Sequence, residues 1–293
     1  MRYFVWCVFI IALFVGCSEQ KFIQPEIILE GWIEDDGHPF VMIHNSYTAS
    51  EKYYSIEEVI DDKTIFWGKV EIFDEEVSDV LTGKLDIEYL PPYYYYSVDI
   101  MGENGRTYEI TAEYEGQTVS ATTTIPNRVE FDSIRVEKLT TGDDVRLTGY
   151  FVDEYVEDNY YVLFFRKKGY KQYLNCFLGV LSDKCADDNG IIQVPIYNNF
   201  SIANLSKEDE KLSRFFKSED IIDVKLSAVD RVSYEIWEDI SALSATTGVA
   251  FLPVYNNIRT NINGGKGYWC GYASSVYRLN LDKDTTFVYC NSK

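Results

Sequence analysis

The stretch YYYYSVDIM-GENG-RTYEITAEY-EG-QTVSATTTI, residues 93–125, decides the fold. Aromatic and β-branched residues dominate it, and in its last third Val119, Ala121 and Thr123 alternate with Thr118, Ser120 and Thr122, the period of a strand with one buried face. Two turn clusters interrupt it, Gly102-Glu103-Asn104-Gly105 and Glu115-Gly116. The reading is a pair of strands, Tyr93 to Met101 and Arg106 to Tyr114, followed by a third from Gln117 to Ile125.

Moving toward the N-terminus, the style is the same. Glu26 to Ile33 and Pro39 to Ser46 flank Asp35-Asp36-Gly37 as a hairpin, and Trp67 to Phe73 places Val70 and Ile72 on one face with Glu71 on the other. About seven short strands in about one hundred residues predict an antiparallel β-sandwich of the immunoglobulin or transthyretin kind over 26–126. Pro126 and Asn127 mark its end.

Toward the C-terminus, 127–293 reads as a β-rich α+β domain, so the chain is mainly β. Arg128 to Lys138, Val145 to Val152, Asn159 to Lys167, Tyr170 to Leu178 and Ile221 to Val229 have strand character. Ser206 to Phe216 reads as a short helix capped by Ser206. Tyr234 to Ala245 is the clearest helix, with Ile236, Ile240 and Leu243 on one stripe and Trp237 beside it. Tyr268 to Leu281 and Thr285 to Cys290 read as a closing hairpin. Ahead of it, Asn261 to Tyr268 holds three glycines in a spacing unlike a phosphate-binding loop, which favours a structural turn over an anion cradle.

The first seventeen residues belong to no globular core. Arg2 precedes an uncharged apolar run from Tyr3 to Val15, too short to cross a hydrocarbon layer of about 30 Å. A run of this length closed by Gly16-Cys17 has the pattern of a lipoprotein signal, residues 1–16, cut before Cys17 so that Cys17 is acylated, with 17–25 as the tether. The mature body is therefore expected to be lipid-anchored to a membrane surface outside the cytoplasm.

The 293 residues carry 27 Lys and Arg against 47 Asp and Glu, a formal charge of −20. That balance argues against nucleic acid and anionic lipid as partners, because like charge repels and no counterion release is gained. Beyond Cys7 and Cys17, the cysteines are Cys176, Cys185, Cys270 and Cys290. In an oxidising compartment an even set reads as disulfides. Three connectivities exist, and Cys176 with Cys185 and Cys270 with Cys290 is favoured because each pair flanks a short strand-and-turn stretch.

Catalytic signals are sparse. The two histidines, His38 and His44, lie in the first hairpin, and the motifs of zinc proteases and serine hydrolases do not occur. No catalytic residue, cofactor or metal is expected. Asp187 and Asp188, in Asp183 to Gly190, resemble part of a calcium loop, but Cys185 takes the place of the first ligand and no glutamate closes it. The binding candidates are Tyr93, Tyr94, Tyr95 and Tyr96, whose alternate rings must face opposite sides of a strand. One pair is expected in the core, leaving the other as a platform for a glycan or peptide.

Leu29-Glu30-Gly31-Trp32-Ile33 after a lipidated cysteine, Thr123-Thr124-Ile125-Pro126 followed by Phe131-Asp132-Ser133-Ile134, and the Asn261 to Tyr268 glycine motif together resemble a family of Bacteroidota lipoproteins of the domain-of-unknown-function 4249 type. The resemblance implies an outer-membrane lipoprotein encoded beside a TonB-dependent receptor and accessory to nutrient uptake. It carries no functional residues. The expectation is thus a non-enzymatic binding or accessory subunit, with a fimbrillin-like adhesin or assembly subunit as the alternative and a secreted hydrolase third.

Overall fold

Seventeen strands and two helices follow in chain order in the computed structural model, which describes residues 25–47, 51–140, 142–153, 158–198, 214–247, 258–283 and 286–289. The strands are β1 (Ile27–Glu34), β2 (Phe40–Asn45), β3 (Lys69–Phe73), β4 (Ser78–Val80), β5 (Thr82–Leu85), β6 (Tyr93–Tyr96), β7 (Thr107–Tyr114), β8 (Gln117–Thr124), β9 (Ser133–Lys138), β10 (Asp144–Val152), β11 (Tyr160–Lys167), β12 (Leu174–Ser182), β13 (Ile191–Ile196), β14 (Phe216–Lys217), β15 (Ile221–Val229), β16 (Lys266–Asn280) and β17 (Thr286–Tyr289). The helices are α1 (Ile56–Lys63) and α2 (Arg231–Thr247). Cys17, Cys290 and most of the helix expected over Ser206 to Phe216 lie outside the described residues, and Phe216 itself is in a strand.

An eight-stranded sheet, ordered β12-β11-β15-β16-β1-β2-β6-β5, backs two smaller sheets. The first, β4-β3-β7-β8, contributes Val70, Ile72, Ile110, Ala112, Val119 and Ala121 to the core shared with Leu29, Ile33, Val41 and Ile43. The second, β13-β10-β9-β17, supplies Ile134, Val136, Leu147 and Val194, in one core with Leu163, Phe165, Val224 and Leu226. The alternation visible in the sequence produces this arrangement directly: β8 reads Gln-Thr-Val-Ser-Ala-Thr-Thr-Thr, and its buried residues are Val119, Ala121 and Thr123.

The fifteen-residue β16 joins the two halves. Its first half pairs parallel with β1, Ile28 opposite Lys266 through Glu34 opposite Tyr272; its second half pairs antiparallel with β15, from Ala273 opposite Ala228 to Asn280 opposite Ile221. Trp269 is fully buried on it and donates through Nε1 to the Tyr108 carbonyl of the facing sheet at 3.0 Å. The segment between β8 and β9 is pinned to the same strand: the Phe131 N–H donates to Tyr277 Oη at 2.9 Å, and Ser275 Oγ donates to the Val129 carbonyl at 2.8 Å. Arg128 clasps Asp35 and Asp36 at the end of β1.

Two expected hairpins are not formed. Tyr93–Tyr96 pairs with β2 and β5, and β7 pairs with β3 and β8 in the other layer. Ser97 ends the tyrosine strand by accepting from the Asp99 and Ile100 N–H groups, and the chain then crosses the sandwich, where Gly102 exchanges backbone bonds with Asp36 and Gly37. Likewise β17 pairs with β9 and not with β16. In both places local turn chemistry was outweighed by the burial available in a distant layer.

The expected bridge between Cys176 and Cys185 is absent as well: both are free thiols, as is Cys270. Cys176 is buried on β12 near Asn175, which pairs with Phe164, whereas Cys185 is exposed beyond Ser182, which pairs with Tyr160. Four residues of β11 separate those registers, about 13 Å of strand, and a disulfide tolerates at most about 7 Å between Cα atoms. Burial also pushes the Cys176 thiol up, and raises Cys270 to about 12, where Ser233 and Tyr272 are its neighbours.

Candidate binding face

The face of the large sheet turned away from both sandwiches carries the aromatic residues. Register puts them there: Trp32 lies opposite Phe40, Phe40 opposite Tyr96, and Tyr94 opposite Lys84, so side chains from β1, β2, β6 and β5 stand on one side. Trp32 and Phe40 stack with ring centroids 4.4 Å apart and 20° between planes; Phe40 and Tyr94 stack at 4.4 Å and 24°. Tyr89, from the loop before β6, packs on Phe40 at 4.8 Å and edge-on to Tyr94 at 5.5 Å. Tyr96 stands 5.9 Å from Tyr94, and Lys84 Nζ lies 5.8 Å from the centre of each ring. All five residues are half-buried.

The tyrosine run therefore divides as a strand must. Tyr95 is 2 % exposed, its hydroxyl donating to the Ile65 carbonyl and accepting from the Gly68 N–H, both at 2.9 Å. Tyr93 meets Tyr95 and Phe66 edge-on and packs on the core. Only Tyr94 and Tyr96 reach the open face. Trp32, Phe40 and Tyr89 join them from other elements. Phe40 lies in the strand read over Pro39 to Ser46, but nothing in sequence marks its face or brings Tyr89 to the stack.

The aromatic run meets an ionic one contributed by the C-terminal half. Lys225, buried on β15, holds Glu34 of β1 at 2.6 Å and lies 4.5 Å from the Tyr173 ring centre and 5.1 Å from that of Phe164. Arg166 stacks over Tyr173 at 4.4 Å and, with Arg278, grips Asp223 at 2.7 Å. Hydrogen bonds from Arg278, together with Arg166, hold the Asp223 carboxyl below the usual aspartate range. Next to this run, α2 covers the same face: Trp237 packs edge-on to Phe164 at 5.1 Å and donates to Tyr272 Oη at 2.8 Å, and Ile236 packs on Ile28. Lys171, in the turn between β11 and β12, reaches Glu88 at 3.1 Å and Asp86 at 3.4 Å, so loops from the two edge regions of the sheet touch.

The remaining candidates fall elsewhere. His44 is buried with Nε2 3.7 Å from Glu30, and His38 Nδ1 lies 2.9 Å from the Ile100 carbonyl; neither is bonded to a described serine or cysteine. Asp187 spends Oδ1 on the N–H groups of Asn189 and Ile191, closing its own turn, and Asp188 is exposed. Among the described residues no group of three or more His, Cys, Asp and Glu side chains is arranged to hold a metal. The glycine motif is a docking device: a Cβ on Gly265 would lie 2.5 Å from the Ile27 carbonyl oxygen, and Asn261 bonds both the N–H and the carbonyl of Trp269.

A mainly β chain whose two sandwiches share one sheet, with a half-exposed aromatic face on that sheet, is the class these features define. The chain belongs to the family described as domain of unknown function DUF4249, whose model matches residues 18–278. No curated protein matches it.

Proposed function

We propose that this protein is an outer-membrane or cell-surface lipoprotein, anchored through Cys17, and that it serves as a non-enzymatic binding and accessory subunit of a TonB-dependent nutrient uptake system. The observation that carries the binding half is the stack Trp32, Phe40 and Tyr94 across three strands, with Tyr96 and Tyr89 at its margins. Rings locked into one stack present their edges, and the hydroxyls of Tyr94, Tyr96 and Tyr89, at little entropic cost, and so can pack on and hydrogen-bond a sugar or peptide. Lys84 beside the rings adds a cation. The anchoring half rests on the sequence pattern ending at Cys17, with the chain entering the fold at Glu26, whose N–H donates to Ser46 Oγ at 3.0 Å. Anchoring works here through effective concentration: a tethered face next to a receptor meets released ligand before it diffuses away.

The test is glycan-array and peptide-array binding by the purified protein beside a Trp32→Ala/Tyr94→Ala variant. Binding lost in the variant, with the melting curve retained, supports the reading. Binding equal in both proteins contradicts it.

A further inference from the structure

The sheet that carries the aromatic face has two ends, and they are finished differently. At one end β12 leaves register with β11 between Asn175 and Val180, Leu178 adopts φ 59, and Phe177 bridges to Tyr197 just beyond β13. A bulge of this kind spoils an edge as a template for another chain. At the other end β5 pairs with β6 in unbroken register, from Thr82 opposite Tyr96 to Leu85 opposite Tyr93, and among the described residues no strand pairs with its outer side. The Asp86 N–H donates to the Pro92 carbonyl at 2.9 Å and continues the same ladder. Bonded pairs therefore fall at 86, 84 and 82, and Gly83 and Leu85 turn their N–H and carbonyl groups outward.

Nothing in β5 shields that edge. It contains no proline, and its one charge, Lys84, leans inward over β6, with Nζ 5.8 Å from the ring centres of both Tyr94 and Tyr96. Among the described residues Lys84 forms no ion pair; Asp86, two residues on, is held by Lys171 at 3.4 Å. On the opposite face Leu85 is 64 % exposed although it stands across from Tyr93, whose ring meets Phe66 edge-on, and the space above Gly83 is filled by the Tyr93 hydroxyl. We infer that β5 takes up an extended peptide as a ninth strand of this sheet, one in which an acidic residue is flanked by apolar ones. This rests on the reading of the open face as a binding face. In such a strand the residue opposite Lys84 shares its face, where a carboxylate meets an ammonium that no other carboxylate neutralises, and its two neighbours cross to the side of Leu85 and Tyr93. Backbone bonds to Gly83 and Leu85 supply affinity that is indifferent to sequence, and the side chains supply the choice. A glycan has no ladder of N–H and carbonyl groups to match this edge.

The probe is a fluorescein-labelled nine-residue peptide of alternating threonine and valine with glutamate at its centre, on the threonine face. It is compared with a scrambled peptide of the same composition and with one carrying lysine in place of glutamate. Fluorescence polarisation with the purified protein should show saturable binding of the glutamate peptide and none of the scrambled one. Leu85→Pro removes an outward N–H and leaves the bonded pairs to β6 in place, and should weaken binding about tenfold. Lys84→Glu should weaken it about fivefold and make the lysine peptide the tighter ligand. That reversal tests the inference even if Leu85→Pro fails to fold. Equal binding of the ordered and scrambled peptides, or an unchanged preference in Lys84→Glu, overturns it. If every peptide fails while glycans are still bound in a Trp32- and Tyr94-dependent manner, strand addition falls and the binding reading stands; if the arrays are blank as well, both fall.

Discussion

Replacing Gly267 by alanine tests the joint on which the architecture depends. Gly267 lies in β16 at φ 108, opposite Leu29 of β1, and a Cβ built on it would sit 1.9 Å from the Leu29 carbonyl oxygen. The alanine meets two penalties. Holding a side chain in this region of φ costs about 1 to 3 kcal/mol. The contact is with backbone, so β1 must shift, and a ladder group left without its partner adds about 1 to 3 kcal/mol. Together these come to about 2 to 6 kcal/mol, a large part of the roughly 5 to 15 kcal/mol that holds a typical protein folded. Gly105 supplies the control: its φ is 78, and no atom lies within 4 Å of a Cβ there, so Gly105→Ala carries only the conformational penalty of about 1 to 2 kcal/mol. The assay is urea unfolding followed by circular dichroism and tryptophan fluorescence. If the two variants lose equal stability to within about 1 kcal/mol, the close parallel pairing of β1 with β16 is refuted.

Other consequences are as direct. Arg278 and Arg166 lower the Asp223 carboxyl below its ordinary value of 3.8, so this group's contribution to stability is complete above that value and is lost as pH falls through the depressed one. The difference in melting temperature between the unaltered protein and Asp223→Asn should accordingly be constant from pH 7 to 5 and shrink below about pH 4; a constant difference down to pH 3 would count against the ion cluster. Cys185 should be alkylated by iodoacetamide in the native protein while Cys176 and Cys270 are protected, and peptide mapping without reductant should find no link between Cys176 and Cys185. Recovery of that linked peptide would mean that β12 has a different register. Tyr95→Phe removes a hydroxyl that bonds both Ile65 and Gly68, leaving buried backbone groups unpaired, and should lower stability by about 1 to 3 kcal/mol without changing binding; Tyr96→Ala should do the reverse.

What the sequence disclosed, and what it withheld, follows from the range of the interactions involved. The β1–β2 hairpin, the strand character of β3, β7, β8, β10, β11 and β15, and helix α2 depend on near neighbours, and their periodicity is plain to read. The division of the tyrosine run into inward Tyr95 and outward Tyr94 also follows from strand geometry alone. Pairing partners did not follow. Gly102 to Gly105 has the composition of a hairpin turn, yet the chain uses it to change layers, because the residues on either side bury more surface apart than together. Helix α1 was passed over although Ser55 caps it by accepting from the Glu58 N–H, a signal three residues long and surrounded by strand-forming aromatics. The parallel pairing of residues 28–34 with 266–272 has no local signature at all. The aromatic stack depends on such distant pairings, which is why only a fragment of it, the tyrosine run, was visible beforehand.

The central claim is that an anchored body presents the Trp32, Phe40 and Tyr94 face to an uptake receptor's ligand. The most direct measurement is affinity capture of the tagged, lipidated protein from its native membrane in mild detergent, followed by quantitative mass spectrometry, beside a Cys17→Ala control. The expected result is recovery of a TonB-dependent receptor in near-equal amount, lost when Cys17 is replaced. Recovery of ladders of like subunits, or of the protein alone, would contradict it.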